Sequence, residues 1–214
     1  MLRDIDPKSA RLSRRHLLVV GTAVAASGSA LALTQSADAN ELDLSGIKAL
    51  VFDVYGTCTD YWGTIVREGQ AFNRKKGLDI DWGRLATDWH GLFPPGFAAV
   101  LKRERPWQSF ASLRLEALGN AVRDQGIKNF SSDELADINT VWQRVEPWSD
   151  TIPGLLRLKQ RYTLATLSNA DMADMVRLAK LRQLPWDVIL TAELAQAVKP
   201  DPRAPIKLFP HTWA

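Results

Sequence analysis

The sequence has a single cysteine, Cys58, so no intrachain disulfide can form and the fold must rest on packing and hydrogen bonds. It also lacks a strong excess of charge of either sign. The formal net charge is +3, and residues 1–39 carry five Lys/Arg against three Asp/Glu, leaving 22 against 21 in the remainder. No basic stripe with interleaved aromatics is present, which argues against a nucleic-acid partner. Long internal repeats and low-complexity tracts are absent too. The apolar stretch from Leu17 to Leu33 is broken by Gly21, Ser27, Gly28 and Ser29, and so makes a poor spanning helix. No tryptophan precedes residue 60 and all eight follow it, which marks the later part as a packed body. A chain of 214 residues holds one domain, or one domain with an insertion.

What is present begins with an address. Ser13-Arg14-Arg15-His16-Leu17-Leu18 resembles the twin-arginine export signature, and Ala37-Asp38-Ala39 is a small-x-small cleavage site before Asn40. Residues 1–39 are therefore expected to be a signal peptide outside the fold. The mature protein would be periplasmic or secreted, with no stable membrane anchor after cleavage; an uncleaved anchor is the alternative.

In the body, an apolar run from Ile47 to Val54 reads as a strand buried on both faces of a parallel sheet. Helical patterns follow. Thr64 to Lys76 ends at Gly77, and Asp81 caps a helix through His90 that Pro94-Pro95 interrupts. Phe97 to Arg103 resumes it. Ser109 to Gln125 is amphipathic, with Phe110, Leu113, Leu118 and Val122 on one side and Gly126 as its stop. Ser131 and Glu134 form a capping box, and Glu146-Pro147-Trp148 acts as a linker. A helix from Ile152 to Gln160 precedes a second strand, Tyr162 to Leu167. Asp171 caps a helix over Met172 to Leu181, and Trp186 to Leu190 is a third, short strand. The pattern is an α/β core with a helical cap inserted after its first strand.

Asp53 ends the first strand, and ligands in open α/β sheets bind beyond such strand ends. A carboxylate held there with restricted solvation can act as a nucleophile. Taken alone, an acidic strand end is more often simply solvated, Ser-Asn after a strand is commonly a helix cap, and Lys-Pro is commonly a turn. Here Phe52-Asp53-Val54-Tyr55-Gly56-Thr57, Leu167-Ser168-Asn169 and Val198-Lys199-Pro200-Asp201 follow predicted strands in that order. The combination resembles the haloacid dehalogenase superfamily, and within it the type II 2-haloacid dehalogenases. The resemblance covers about Lys48 to Asp201, and Arg105-Pro106-Trp107 and Pro147-Trp148 also fit that group.

The resemblance implies a Rossmannoid parallel-sheet core over 40–62 and 148–214 and a helical cap over 63–147. It implies hydrolytic dehalogenation of a short 2-haloalkanoic acid to a 2-hydroxy acid through an aspartyl ester, with no metal and no cofactor. Asp53 would attack the halogenated carbon, Lys199 would keep Asp53 ionised, and Thr57 would position it. Ser168 and the backbone at Val54 and Tyr55 would receive the substrate carboxylate, and Asn169 would serve the halide side. Dimers are common in the resembled group, so a homodimer is compatible. Superfamily phosphatases carry a second aspartate two positions after the nucleophile to protonate the leaving oxygen. Tyr55 stands there, and a halide needs no proton to leave. A phosphatase and a non-catalytic remnant are the alternatives.

Three departures stand out. The resembled enzymes place an arginine after a tryptophan in the cap to help abstract the halide; here the pair is Trp89-His90, with Lys102, Arg103 or Arg105 as candidate replacements. Pro205 stands where a tyrosine is usual. Resembled chains continue into a Ser-x-Asn-x-x-Asp segment whose aspartate prepares the hydrolytic water, whereas Pro205 to Ala214 does not match it. The resemblance thus implies a core incomplete at its C-terminus, an exposed apolar edge on the first strand, marginal stability, and an ester whose hydrolysis fails.

Overall fold

The computed structural model describes residues 46–128 and 130–201. The signal-like segment 1–39 and Pro205 lie outside the described residues. Among the described residues, no helix is long and apolar enough to cross a membrane.

The chain runs β1 (Ala49–Phe52), β2 (Thr59–Asp60), α1 (Tyr61–Lys76), α2 (Trp82–Leu101), α3 (Phe110–Asp124) and α4 (Ser132–Asn139). A 3-10 turn over Thr140–Gln143 leads to β3 (Glu146–Pro147), α5 (Thr151–Lys159), β4 (Thr163–Thr166), α6 (Met172–Arg182) and α7 (Ala192–Ala195). β1 and β4 pair in parallel, with Ala49 opposite Thr163 and Phe52 opposite Thr166. This is the α/β architecture with a parallel sheet that the sequence implied. β2 and β3 pair antiparallel, Thr59 with Pro147 and Asp60 with Glu146, so the helical segment leaves and returns through one two-stranded ribbon.

Several expected boundaries move, each for a physical reason. β1 ends at Phe52 rather than Val54, because the Val54 carbonyl turns to accept from Cys58 N at 2.9 Å and Thr59 N at 3.1 Å. Among the described residues β1 has one strand neighbour, and on it Val51 is 46% exposed. Among the described residues the expected third strand over Trp186–Leu190 forms no ladder: Val188 bridges to Ala165, and Thr191, just past it, bridges to Ser168. The Thr166 hydroxyl accounts for the gap: it donates to the Leu190 carbonyl at 2.8 Å and accepts from Leu190 N at 3.0 Å, replacing backbone partners. Glu146-Pro147 is strand rather than linker.

α2 runs straight through Pro94 and Pro95, where the sequence suggested an interruption. Interior prolines cost helices about 3 kcal/mol through the missing N–H and a clash with the preceding turn. Here His90 and Gly91, whose carbonyls lose those donors, are exposed to water. Phe93 and Phe97, on the same stretch, pack with buried Phe110 of α3, which favours continuity. Tertiary packing of an apolar stripe supplies most helix stability in proteins.

Two clusters form the core. Ile65, Trp82, Leu85, Trp89, Leu118 and Trp142 lie among the helices of the insert. Val54, Val145, Leu155, Leu164, Met175 and Leu178 lie around the strands. Capping follows the sequence at Asp81, which accepts from Arg84 N, and at the Ser131–Glu134 capping box. It does not at Asp171. That carboxylate makes no side-chain cap on α6; it accepts from Phe110 N at 2.8 Å and Ala111 N at 2.6 Å, capping α3 across the fold. An anion at a helix N-terminus satisfies orphan donors and meets the positive end of the dipole.

Asp171→Ala is expected to lower stability by about 1–3 kcal/mol, since the buried Phe110 N–H loses its partner. Denaturant unfolding of the full chain measures this, and an unchanged midpoint contradicts it. Gly69 of α1 is set by contact rather than by backbone freedom: an added Cβ would sit 1.9 Å from the Trp82 ring. Gly69→Ala is expected to cost about 1–3 kcal/mol by overpacking in the same assay.

Candidate active site

The turn after β1 builds the centre of the site. Gly56 takes φ +84, a conformation that favours glycine, and an added Cβ would also press on the Tyr61 ring at 3.3 Å. This tight turn brings Thr57 back toward Asp53, and the Thr57 hydroxyl donates to Asp53 Oδ2 at 3.0 Å. The parallel β1–β4 pairing sets the end of β4 beside Asp53. Leu167 N donates to the Phe52 carbonyl at 2.7 Å, and one residue later the Ser168 hydroxyl donates to Asp53 Oδ1 at 3.0 Å. Lys199 Nζ reaches the same Oδ1 at 2.8 Å from the loop after α7. Asn169 holds that loop: its Oδ1 accepts from Lys199 N at 2.9 Å, and its Nδ2 donates to the Lys199 carbonyl at 3.3 Å.

Asp53 thus takes three donors from three separate segments. The side chains of Asp53 and Lys199 are 36% and 32% exposed. An ion pair this open to water contributes little net stability, about 0–1 kcal/mol. Its consequence is orientation: both carboxylate oxygens have fixed partners, and the carboxylate plane is set.

Beside Asp53 lies a cavity of about 400 Å³, walled by Phe93, Phe97, Ala98 and Leu101 of α2, by Tyr55, Tyr61 and Trp142, and by Ser168, Asn169 and Lys199. That volume is toward the small end of small-molecule sites, which span about 300–1,000 Å³. Tyr55 does not offer a proton here. Its hydroxyl donates to the Trp142 carbonyl at 3.0 Å, and burial pushes its pKa up to about 12. Val54 does not line the cavity; its side chain is fully buried in the core.

His90 lies at the cavity wall with its ring stacked on Tyr61, centroids 5.1 Å apart. Partial burial lowers its pKa below the usual 6.5, so the neutral imidazole dominates at pH 7. The other cations the sequence offered do not reach the cavity. Lys102 lies 3.9 Å from Glu104, Arg103 is exposed, and Arg105 makes a two-pronged pair with Glu116 at 3.1 and 2.8 Å. The cavity instead holds Arg114 of α3, which sequence reasoning passed over. The signal was there: Arg114 falls four residues after Phe110 and four before Leu118, within a buried stripe.

A family model for haloacid dehalogenase-like hydrolases matches residues 47–207. The chain belongs to that family, and it is a hydrolase of the haloacid dehalogenase-like fold. Two crystal structures, an L-2-haloacid dehalogenase and a defluorinating L-2-haloacid dehalogenase, are 32% and 30% identical to it, with TM-scores of 0.72 and 0.73. The first match covers 76% of this chain and 70% of that one; the second covers 76% and 67%. The L-2-haloacid dehalogenase from Xanthobacter autotrophicus, 23% identical with a TM-score of 0.65 over 76% of this chain and 63% of its own, shares the fold. No curated protein sequence matches the chain.

Folding lowers the proton affinity of His90, so below about pH 6.5 the unfolded chain binds more protons than the folded one, and stability falls as pH falls. His90→Gln is expected to flatten that part of the acid limb. Denaturation midpoints measured from about pH 7.5 down to about pH 5 check this; equal slopes for both proteins contradict it.

Proposed function

We propose that the chain hydrolyses short 2-haloalkanoic acids to 2-hydroxy acids through an ester on Asp53. The observation that carries this reading is a carboxylate fixed by Lys199, Ser168 and Thr57 at an apolar cavity, with Tyr55 two positions on. The similarity to L-2-haloacid dehalogenases at 30% identity or above supports the same substrate class. A phosphate ester would need a proton on its leaving oxygen, and a Tyr55 hydroxyl with a pKa of about 12 is a poor donor. A halide leaves without one.

In the first step one Asp53 oxygen attacks the carbon bearing the halogen from the side opposite the halogen. The new C–O bond forms as the carbon–halogen bond breaks, and the halide departs with that electron pair. We assign the attack to Oδ2, whose partner is the neutral Thr57 hydroxyl. Oδ1 then becomes the ester carbonyl oxygen, already facing Lys199 and Ser168. In the second step water attacks the ester carbon, and negative charge develops on Oδ1, where those two donors stabilise it. Collapse breaks the bond from that carbon to Oδ2, which leaves as the hydroxyl oxygen of the 2-hydroxy acid; one water proton goes to that hydroxyl, the other to solvent, and the water oxygen restores the Asp53 carboxylate. Donors preset on a developing oxyanion are commonly worth about 10²–10³ in rate. The apolar wall keeps bulk water from the nucleophile during the first step.

Chloride released from L-2-chloropropionate, counted per mole of full-length protein, tests the reading. Chloride release that is lost in Asp53→Asn is expected; many chlorides per chain mean that the ester is hydrolysed, and at most one, with a persistent adduct on Asp53, that the first step proceeds and the second fails. Lys199→Met is expected to slow turnover about 100-fold or more and to leave a substrate-derived mass on Asp53. No chloride and no adduct would defeat the proposal in favour of a non-catalytic protein, and magnesium-dependent release of phosphate from a phosphate ester would favour a phosphatase. From the motif at Arg14-Arg15 we also propose that the mature chain is exported and acts outside the cytoplasm; cell fractionation with Arg14→Lys/Arg15→Lys as control reads that directly.

A further inference from the structure

The proposed reaction creates a halide ion inside a largely apolar cavity, and an anion released there is costly without a positive partner. Lys199 is spent on Asp53, and His90 is neutral at pH 7. Among the described residues, Arg114 is the other permanent cation on the cavity wall. Its side chain is 1% exposed.

Its surroundings hold it without consuming it. The guanidinium carbon lies 4.5 Å from the Trp142 ring centroid, 4.8 Å from Tyr55 and 5.6 Å from Phe93. Nη1 donates to Asp174 Oδ2 at 3.2 Å, and Nη2 donates to the Asn169 carbonyl at 3.4 Å. Nε is buried with no partner among the described residues. A guanidinium has five N–H groups in a planar fork, so donors remain on Nε and on both terminal nitrogens. The α3 backbone at this point is fixed by Trp89, whose indole N–H donates to the Arg114 carbonyl at 2.7 Å. Asp174 is itself held by Gln143 at 2.9 Å.

We propose that Arg114, not His90, is the cation that receives the departing halide. The inference rests on the dehalogenase reading above. As the Asp53–carbon bond forms, the carbon–halogen pair moves onto the halogen, and free Arg114 N–H groups donate hydrogen bonds to it; no proton is transferred. The interaction is weak with the covalent halogen and strong with the ion, so it acts mainly on the transition state. The position in the fold differs from the tryptophan-adjacent one, but the cavity is the same. A charge that stays on at every working pH replaces one that titrates.

Two measurements on the full-length protein test this. Sodium bromide is titrated against tryptophan fluorescence, since Trp142 stacks on the guanidinium and bromide quenches indole. A saturable quench is expected in the wild type and in His90→Gln, and its loss in Arg114→Met. Single-turnover chloride release from L-2-chloropropionate is expected to fall about 100-fold in Arg114→Met, with partial recovery in Arg114→Lys. Arg114→Met leaves Asp174 unpaired, so Arg114→Met/Asp174→Asn is run beside it, with near-ultraviolet circular dichroism confirming the fold. A saturable bromide site that survives in the folded double variant, or one that His90→Gln abolishes, overturns the proposal. Its absence from the wild type does so as well. If the wild type releases no chloride but loses its bromide site with Arg114, the dehalogenase reading fails and the arginine assignment to halide stands.

Discussion

A single ladder register, Phe52 opposite Thr166 in the parallel pairing of β1 with β4, brings Asp53 and Ser168 to one end of the sheet. Parallel strands point the same way, so their carboxyl ends coincide and the turns that follow them share one crevice. That is how Asp53 and Ser168, 115 residues apart, come within 3.0 Å. A slip of one residue would turn Asp53 to the other face, since side chains alternate along a strand. The Leu167 N–H bond to the Phe52 carbonyl extends the pairing past the strand to the threshold of the site. Lys199 is added through Asn169, whose side chain grips the lysine backbone and so transfers the position of β4 to the cation.

The helical insert depends on the same crevice for its placement. Asp171 follows β4 by a few residues, yet its carboxylate caps α3, joining the core to the insert at the N-terminus of the helix that carries Arg114. Arg114 repeats the connection one turn on, through Asp174 and the Asn169 carbonyl. Removing one partner of a buried charge pair leaves the other charge uncompensated, which is why such a connection resists displacement. The aromatic group of Tyr55, Tyr61, Trp89 and Trp142 packs around these contacts by edge and face. The cavity wall and the Asp53 carboxylate are therefore held in common: Asn169, whose carbonyl accepts from Arg114 of α3, also grips the lysine that meets Asp53.

Local signals in the sequence succeeded where a local interaction decided the outcome. The Asp81 and Ser131 caps, the stop at Gly126 and the stripe of α3 depend on residues within two turns of one another. They failed where a distant partner decided. Asp171 reads as the cap of its own helix, but the buried N–H groups of Phe110 and Ala111 compete for the carboxylate and gain more from it. Pro94-Pro95 reads as a break, but the donors it removes belong opposite the exposed residues His90 and Gly91, and the Phe93–Phe97–Phe110 contact favours continuity. Leu190 reads as a strand end, but the Thr166 hydroxyl satisfies its backbone instead.

The site divides along the same line. Sequence by itself determined the family and the identities of Asp53, Thr57, Ser168 and Lys199, because short motifs after strand ends carry their own backbone geometry. It also determined that Tyr55 replaces an acid. Tertiary structure alone decided which cation faces the cavity. Arg105 and Arg114 are equally basic in sequence, yet Arg105 meets Glu116 at the surface while Arg114 is carried inward on the buried stripe of α3. Charge is a property of the residue; access to a cavity is a property of the packing around it, and only the folded chain sets that.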